Sequence, residues 1–223
     1  MTSESPQASV TMLDNIGDAF GWPFQDPNWF GKMVLQGLIW IIPIVGWISL
    51  GGWMMRTIDN YRAGRRELAP AGFHLSRGVA VSFVFLIYGI GVNIPGGILS
   101  SLGGAVSSSG LSALGSVLNL AAGLLLIFLT PVLILFVYRG GFSAGFEFSA
   151  IWRTATGANI GNTVVAAAVI LGASIIGALG AILCLVGLLV TVPYSQAITA
   201  GAVTWYERVT TAPAPAPPTT ATG

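Results

Sequence analysis

The chain has 223 residues, 54% of them hydrophobic and 8% charged, with a mean hydropathy of +0.80 and a formal net charge of +1. A soluble domain carries roughly 25% charged residues; so few charges cannot cover a water-facing surface, and the chain is read as an integral membrane protein. Near-neutral charge excludes the basic footprint of a nucleic-acid partner. The one cysteine, Cys184, excludes a disulfide framework and is read as packing.

Charge placement says more than charge count. Gly78 to Tyr138, 61 residues, contains no Asp, Glu, Lys, Arg or His, and neither does Thr154 to Tyr206, another 53. A spanning helix needs roughly 20 apolar residues, so each block holds two spans and a turn. The fold class is therefore all-α: a polytopic membrane protein with four to five transmembrane or re-entrant helices plus interfacial amphipathic ones. A single membrane domain over 11–209 is expected between a polar tail, 1–10, and a proline-rich tail, 210–223, both disordered.

The N-terminus lacks a basic region followed by an apolar one, so no cleavable leader is expected and the first apolar run serves as its own insertion signal. Met12, Leu13, Ile16, Ala19 and Phe20 recur at helical spacing opposite Asp14, Asn15 and Asp18. Trp22, Phe24, Trp29 and Phe30 follow, a ring density suited to the headgroup layer. Residues 11–30 are thus expected on the membrane surface, with packing against the protein's own loops as the alternative. The first apolar run, Met33 to Met55, is interrupted by Pro43, Gly46, Gly51 and Gly52. It is either one kinked span or a re-entrant hairpin turning at Pro43–Gly46. The kinked span is preferred, because irregular backbone at membrane depth needs protein cover.

Five of the nine basic residues, Arg56, Arg62, Arg65, Arg66 and Arg77, fall between this run and the next. The positive-inside rule assigns that loop to the cytoplasm and the arginines to anionic lipid contact. His74, the only histidine, has no second ligand to make a metal site. Gly78 to about Ser100 is the next span. The uncharged Gly/Ser stretch 100–115 is expected as an external loop, and 116–138 as the return. Residues 139–161 are expected as a cytoplasmic interfacial segment carrying Glu147 and Arg153. In the last apolar stretch Ala173, Gly177 and Ala181 form a small-residue row for close helix packing. A break near Gly187–Pro193 is expected to leave 193–209 as a separate final helix, spanning or interfacial, ending at the boundary set Trp205, Tyr206, Glu207 and Arg208.

Asp26-Pro27-Asn28-Trp29-Phe30-Gly31-Lys32 runs into the Pro43 stretch, then Gly51-Gly52-Trp53 leads through Arg56, Arg62 and Gly64 to Leu68-Ala69-Pro70. With Arg77-Gly78, Ile87-Tyr88, Pro95, Val192-Pro193-Tyr194 and Trp205-Tyr206, this order resembles the prokaryotic membrane proteins of the domain of unknown function 4013 family, over roughly residues 11–209. The resemblance implies a polytopic membrane protein in a prokaryotic cell membrane and supplies no activity and no catalytic residues. One departure is Leu68-Ala69-Pro70-Ala71-Gly72-Phe73, where the family has Leu-Pro followed directly by acidic and tryptophan residues.

No phosphate-cradling loop, zinc-protease helix or nucleophile elbow is present, and no carboxylates pair within a span. No catalytic, cofactor or metal residue is expected, and the chain is read as non-enzymatic. Gln36, Ser82, Asn93, Asn119, Thr130 and Ser174 are read first as interhelical hydrogen-bonding groups; Asn93, Asn119 and Glu147 are the weak candidates for a polar site. The leading expectation is a scaffold, assembly or accessory subunit, whose partners are the lipid bilayer and a membrane protein or a second copy. The alternative is a small uncoupled facilitator with a site at the broken helices around Pro43/Gly46 and Gly187/Pro193. An enzyme acting on lipid would require Glu147 and His74 to converge.

Overall fold

A computed structural model describes residues 15–182 and 184–211. Two 3-10 turns, Ile16–Phe20 and Trp22–Gln25, precede seven α-helices: α1 Trp29–Trp40, α2 Val45–Arg62, α3 Leu75–Ala105, α4 Ser109–Ala144, α5 Phe148–Thr156, α6 Ile160–Leu179 and α7 Cys184–Thr211. Among the described residues there is no strand, and four helices, α3, α4, α6 and most of α7, are long and apolar enough to cross a membrane. Each charge-free block became one antiparallel pair, α3–α4 and α6–α7.

The first apolar run is a hairpin, not a kinked span. Twelve residues give α1 a length of about 18 Å, short of a bilayer core of about 30 Å. Pro43 offers no backbone donor to continue the helix, and Ile44 takes φ 63°, a left-handed conformation that is costly for a β-branched residue. A Cβ on Gly46 would lie 2.6 Å from the Trp40 carbonyl carbon, so only glycine lets the chain double back here. The legs are tied across the hairpin by Gln36, which donates to Ser49 Oγ at 3.1 Å. The protein cover that irregular backbone requires comes from α7, which packs along both legs, with Met33, Leu50, Trp53 and Ala197 in one cluster.

Helix α7 is the central post. Ala197, Ile198, Ala200, Ala202, Val203 and Tyr206 are fully buried. The expected break at Gly187–Pro193 is absent: the chain turns at 180–182 instead, and Pro193 lies inside α7. Pro193 deprives the Leu189 carbonyl of its helical donor. Gly37 of α1 sits directly on that carbonyl, where a Cβ would lie 2.7 Å from its carbon. The glycine's α-hydrogen points at the freed oxygen, a weak C–H···O contact that replaces part of the lost bond. The proline is tolerated because a neighbouring backbone covers the gap it makes.

Three further expectations change. The stretch 100–115 is helical except for a turn at 106–108, because Gly103 and Gly115 face Ser112 and Ser100 closely enough to zip α3 and α4 together nearly to their ends. Residues 15–25 are not a free surface helix: Ala19 is buried against Ala173 of α6 and Ile198 of α7, Trp22 is buried with its ring edge-on to Tyr61 of α2, and Tyr194 donates to the Phe20 carbonyl at 2.8 Å. Met12 and Leu13 lie outside the described residues, as do the tails, although Thr210 and Thr211 still belong to α7. Helix α5 is amphipathic as expected, with Ile151 and Ala155 buried and Phe148 and Trp152 exposed. It follows a kink at Gly141 (φ 73°) that ends the straight part of α4.

Candidate functional site: an arginine-lined cavity around Glu207

At one end of the bundle the last turns of α2 and α7 meet the end of straight α4. Helix C-termini carry partial negative charge, which favours basic side chains, and each contributes one: Arg62, Arg208 and Arg139. Between them lies Glu207, 7% exposed. Arg62 grips it edge-on, Nε to Oε2 at 2.9 Å and Nη2 to Oε1 at 3.0 Å. Arg139 donates to Oε1 from Nη2 at 2.7 Å and from Nε at 3.2 Å. The Arg62 guanidinium lies over the Tyr138 ring, 4.8 Å from its centre, and Tyr138 donates to Asp59, which also pairs with Arg77 at 2.8 Å. Burial works against the charge of Arg62, but its bond with Tyr138 and the carboxylates of Glu207 and Asp59 outweigh it and hold the group above its usual value. Four helices are thereby fastened at one level by one ionic chain. Beside it opens a cavity of about 500 Å³, lined by Arg62, Arg139, Thr204, Glu207, Arg208 and Thr211.

A second polar set is structural. Asp26, 1% exposed, accepts from the backbone N–H of Asn28 (2.8 Å) and Leu68 (2.9 Å) and pairs with Lys32 at 2.6 Å. Lys32 also reaches the Leu68 carbonyl at 3.0 Å. Trp53 donates to the Ala69 carbonyl, the Ala69 N–H to Thr57, and the Gly72 N–H to Gln36. The Leu68–Gly72 stretch is therefore a strap laid over the hairpin.

A third feature is a neutral cavity of about 260 Å³ behind the hairpin tip. Apolar walls from Trp47, Met54, Phe85 and Ile170 carry the hydroxyls of Thr130, Ser174 and Thr199 and the Gln196 amide.

The sequence-selected arginines divide. Arg62 and Arg77 belong to the ionic chain. Arg65 donates to Asn60, and Arg66 donates to Gln25 and lies over Trp22, 5.7 Å from the ring centre. Arg56 is exposed. In the small-residue row, Ala173 packs with Ile198, and a Cβ on Gly177 would touch Ser195 at 3.1 Å, so the row serves α6 against α7. Ala181 falls in the turn beyond α6 and leaves the row. Asn93 is exposed on α3 and donates to the Gly89 carbonyl. Asn119 is wedged against Gly96, its Oδ1 buried without a partner. Glu147 is exposed just before α5, and His74 lies 2.8 Å from the Pro70 carbonyl oxygen; no bond joins the two. Asp59 and Glu207 were missed as site residues. Asp59 had a signal, three positions before Arg62 on one helix face; Glu207 is 145 residues from Arg62 and had none.

Four membrane-crossing-capable helices around a broken-helix hairpin define a polytopic helical membrane protein. The family described as "Protein of unknown function (DUF4013)" matches residues 35–186, more than half of the chain, and the chain belongs to that family. No curated protein and no solved structure matches it.

Proposed function

We propose that the chain is a non-enzymatic subunit that docks a second membrane protein through the far end of the α3–α4 pair. The length of that pair carries the reading. From Arg77, at the charged end, to Ala105 the helix rises about 42 Å, some 12 Å more than a hydrocarbon core of about 30 Å. Fitting it inside would take a tilt of about 45°, beyond the usual range. Yet the far end carries no charge to mark a water boundary, and Leu102, Val106, Leu114, Val117 and Leu120 are all more than half exposed there. An apolar tip in or past the headgroup layer calls for a protein cover. In this reading the Arg56–Arg77 end is cytoplasmic. A photo-crosslinking residue at Leu102, Val117 or Leu120 in native membranes should trap one defined membrane protein, a second copy included. Adducts to lipid alone at all three positions would end the proposal.

The neutral cavity favours a second reading, a facilitator for a small uncharged solute. Fully buried Ile58, Ala200 and Val203 lie on α2 and α7 between that cavity and the Glu207 end and leave it without an evident exit there. If it conducts, Gln196→Leu lowers flux in liposomes; flux equal to that of the unaltered chain, or none in either, removes this reading.

A further inference from the structure

We propose that the cavity beside Glu207 binds the phosphate group of an anionic ligand, with Arg62 and Arg139 as its donors and Glu207 as a built-in counter-ion that holds them ready. A guanidinium carries five N–H donors. Arg62 and Arg139 each spend only the Nε–Nη2 edge on Glu207, as the four N···O contacts between 2.7 and 3.2 Å show. Arg62 gives a further bond to Tyr138, the Nη1 of neither arginine is among the atoms that contact Glu207, and both guanidiniums line the 500 Å³ cavity. Arg62 and Arg139 set two guanidinium charges against the single carboxylate of Glu207 in the lining, which favours an anion such as a phosphate monoester.

The remaining lining narrows the chemistry. Thr204 and Thr211 donate their hydroxyls to the Ala200 and Glu207 carbonyls, at 2.8 and 2.7 Å, so recognition falls to the guanidinium edges. Planar guanidinium edges suit the paired oxygens of phosphate better than a point charge does. The volume exceeds a bare phosphate and leaves room for the group esterified to it. Arg77 and Arg139 stand where the charge-free span between them begins and ends, so the cavity opens at headgroup level, within reach of a phospholipid from the side and of a soluble phosphate from water.

Glu207 makes the proposal testable by sign. It occupies the inner edges that an anion would otherwise take, and it subtracts one charge. Glu207→Gln keeps an acceptor and removes the charge, so phosphate binding should strengthen several-fold. Arg62→Gln and Arg139→Gln should each weaken it about tenfold or more, as loss of a charge-assisted bond implies. Arg139→Lys, which preserves charge and folding, should fall between. Arg56→Gln and Arg153→Gln, exposed and away from the cavity, should change nothing.

The full chain is studied in phosphatidylcholine nanodiscs doped with phosphatidic acid, with retained lipid read by native mass spectrometry, and in detergent against inorganic phosphate by calorimetry. Selective retention of phosphatidic acid with the stated order of variants identifies a lipid headgroup. Binding of inorganic phosphate in that order, without lipid selectivity, identifies a soluble phosphate. If neither probe separates Arg139→Gln and Arg139→Lys from Arg56→Gln, or if Glu207→Gln weakens binding while the protein remains folded, the proposal is overturned.

Discussion

Gly78 and Gly52 set the distance between α2 and α3. The helices cross with these two glycines face to face: a Cβ on Gly78 would lie 2.8 Å from the Ile48 carbonyl carbon and 2.9 Å from the Gly52 nitrogen. Ordinary contact begins at 3.4 Å, and the neighbours are backbone atoms that cannot rotate away. The Ile48 carbonyl oxygen is closer still, so Gly78→Ala must part the helices by more than the 0.6 Å by which the Ile48 carbon at 2.8 Å falls short of 3.4 Å. A gap of that size forfeits roughly a quarter to a half of each dispersion contact at the crossing, and overpacking of this kind costs about 1–3 kcal/mol. The gain in helix propensity on replacing glycine by alanine, about 1 kcal/mol, works in the opposite direction. Gly91, on the same helix with nothing within 4 Å of a Cβ, supplies the comparison, since Gly91→Ala gains propensity without a clash. Tryptophan fluorescence during reversible unfolding in mixed micelles with increasing dodecyl sulfate should therefore rank Gly91→Ala above the unaltered chain and Gly78→Ala below Gly91→Ala, the two variants about 1–3 kcal/mol apart because the propensity gain is common to both. Equal stability of the two would refute the close-crossing argument.

The Asp26 clasp gives a second expectation. Asp26→Ala strands Lys32 and the Leu68 N–H and should cost about 3 kcal/mol, at the low end for a broken buried pair because Lys32 is one-fifth exposed. Trypsin should then cut faster at Arg65–Arg66 as the strap loosens, and an unchanged cleavage rate would remove the clasp from the account. Tyr61 gives a third. Burial, aided by the Asp26 charge, pushes its phenol up, and its hydroxyl is buried without a partner. The folded chain holds this proton more tightly than the unfolded one, so the contribution is full below about pH 10, the unfolded value, and is lost as pH rises beyond it. Tyr61→Phe should leave stability at pH 7 unchanged or improved and flatten the alkaline decline; a loss at pH 7 would reveal a hydrogen bond that the geometry does not contain.

What was legible in the chain was what depends on solvent. The two charge-free blocks announce α3–α4 and α6–α7, because a bilayer tolerates few ionisable groups and demands about 20 apolar residues per crossing. Proline and glycine positions were less informative. Pro43 ends a helix and Pro193 does not, and the difference lies in Gly37, 156 positions away in the chain, which covers the carbonyl that Pro193 frees. The Gly/Ser composition of 100–115 suggested a loop, but small residues serve equally to let two helices approach, and partner spacing decides between the two. The site was half legible. Arg62 and Arg77 stood out by charge density, whereas Arg139 and Glu207 look like ordinary boundary residues until the fold brings three helix ends together.

The hairpin is the central structural claim, because it decides which ends of the chain share a side. With Cys184 replaced by alanine, single cysteines at Gln25 and Arg65 should be tested with a membrane-impermeant thiol reagent on sealed vesicles of both orientations. The Arg66 guanidinium donates to Gln25 at 3.1 Å across the base of the hairpin. Both cysteines should therefore be labelled from the same side, and in the same vesicles. Labelling of Gln25→Cys from one side and Arg65→Cys from the other would make Met33–Met55 a single crossing and contradict the hairpin.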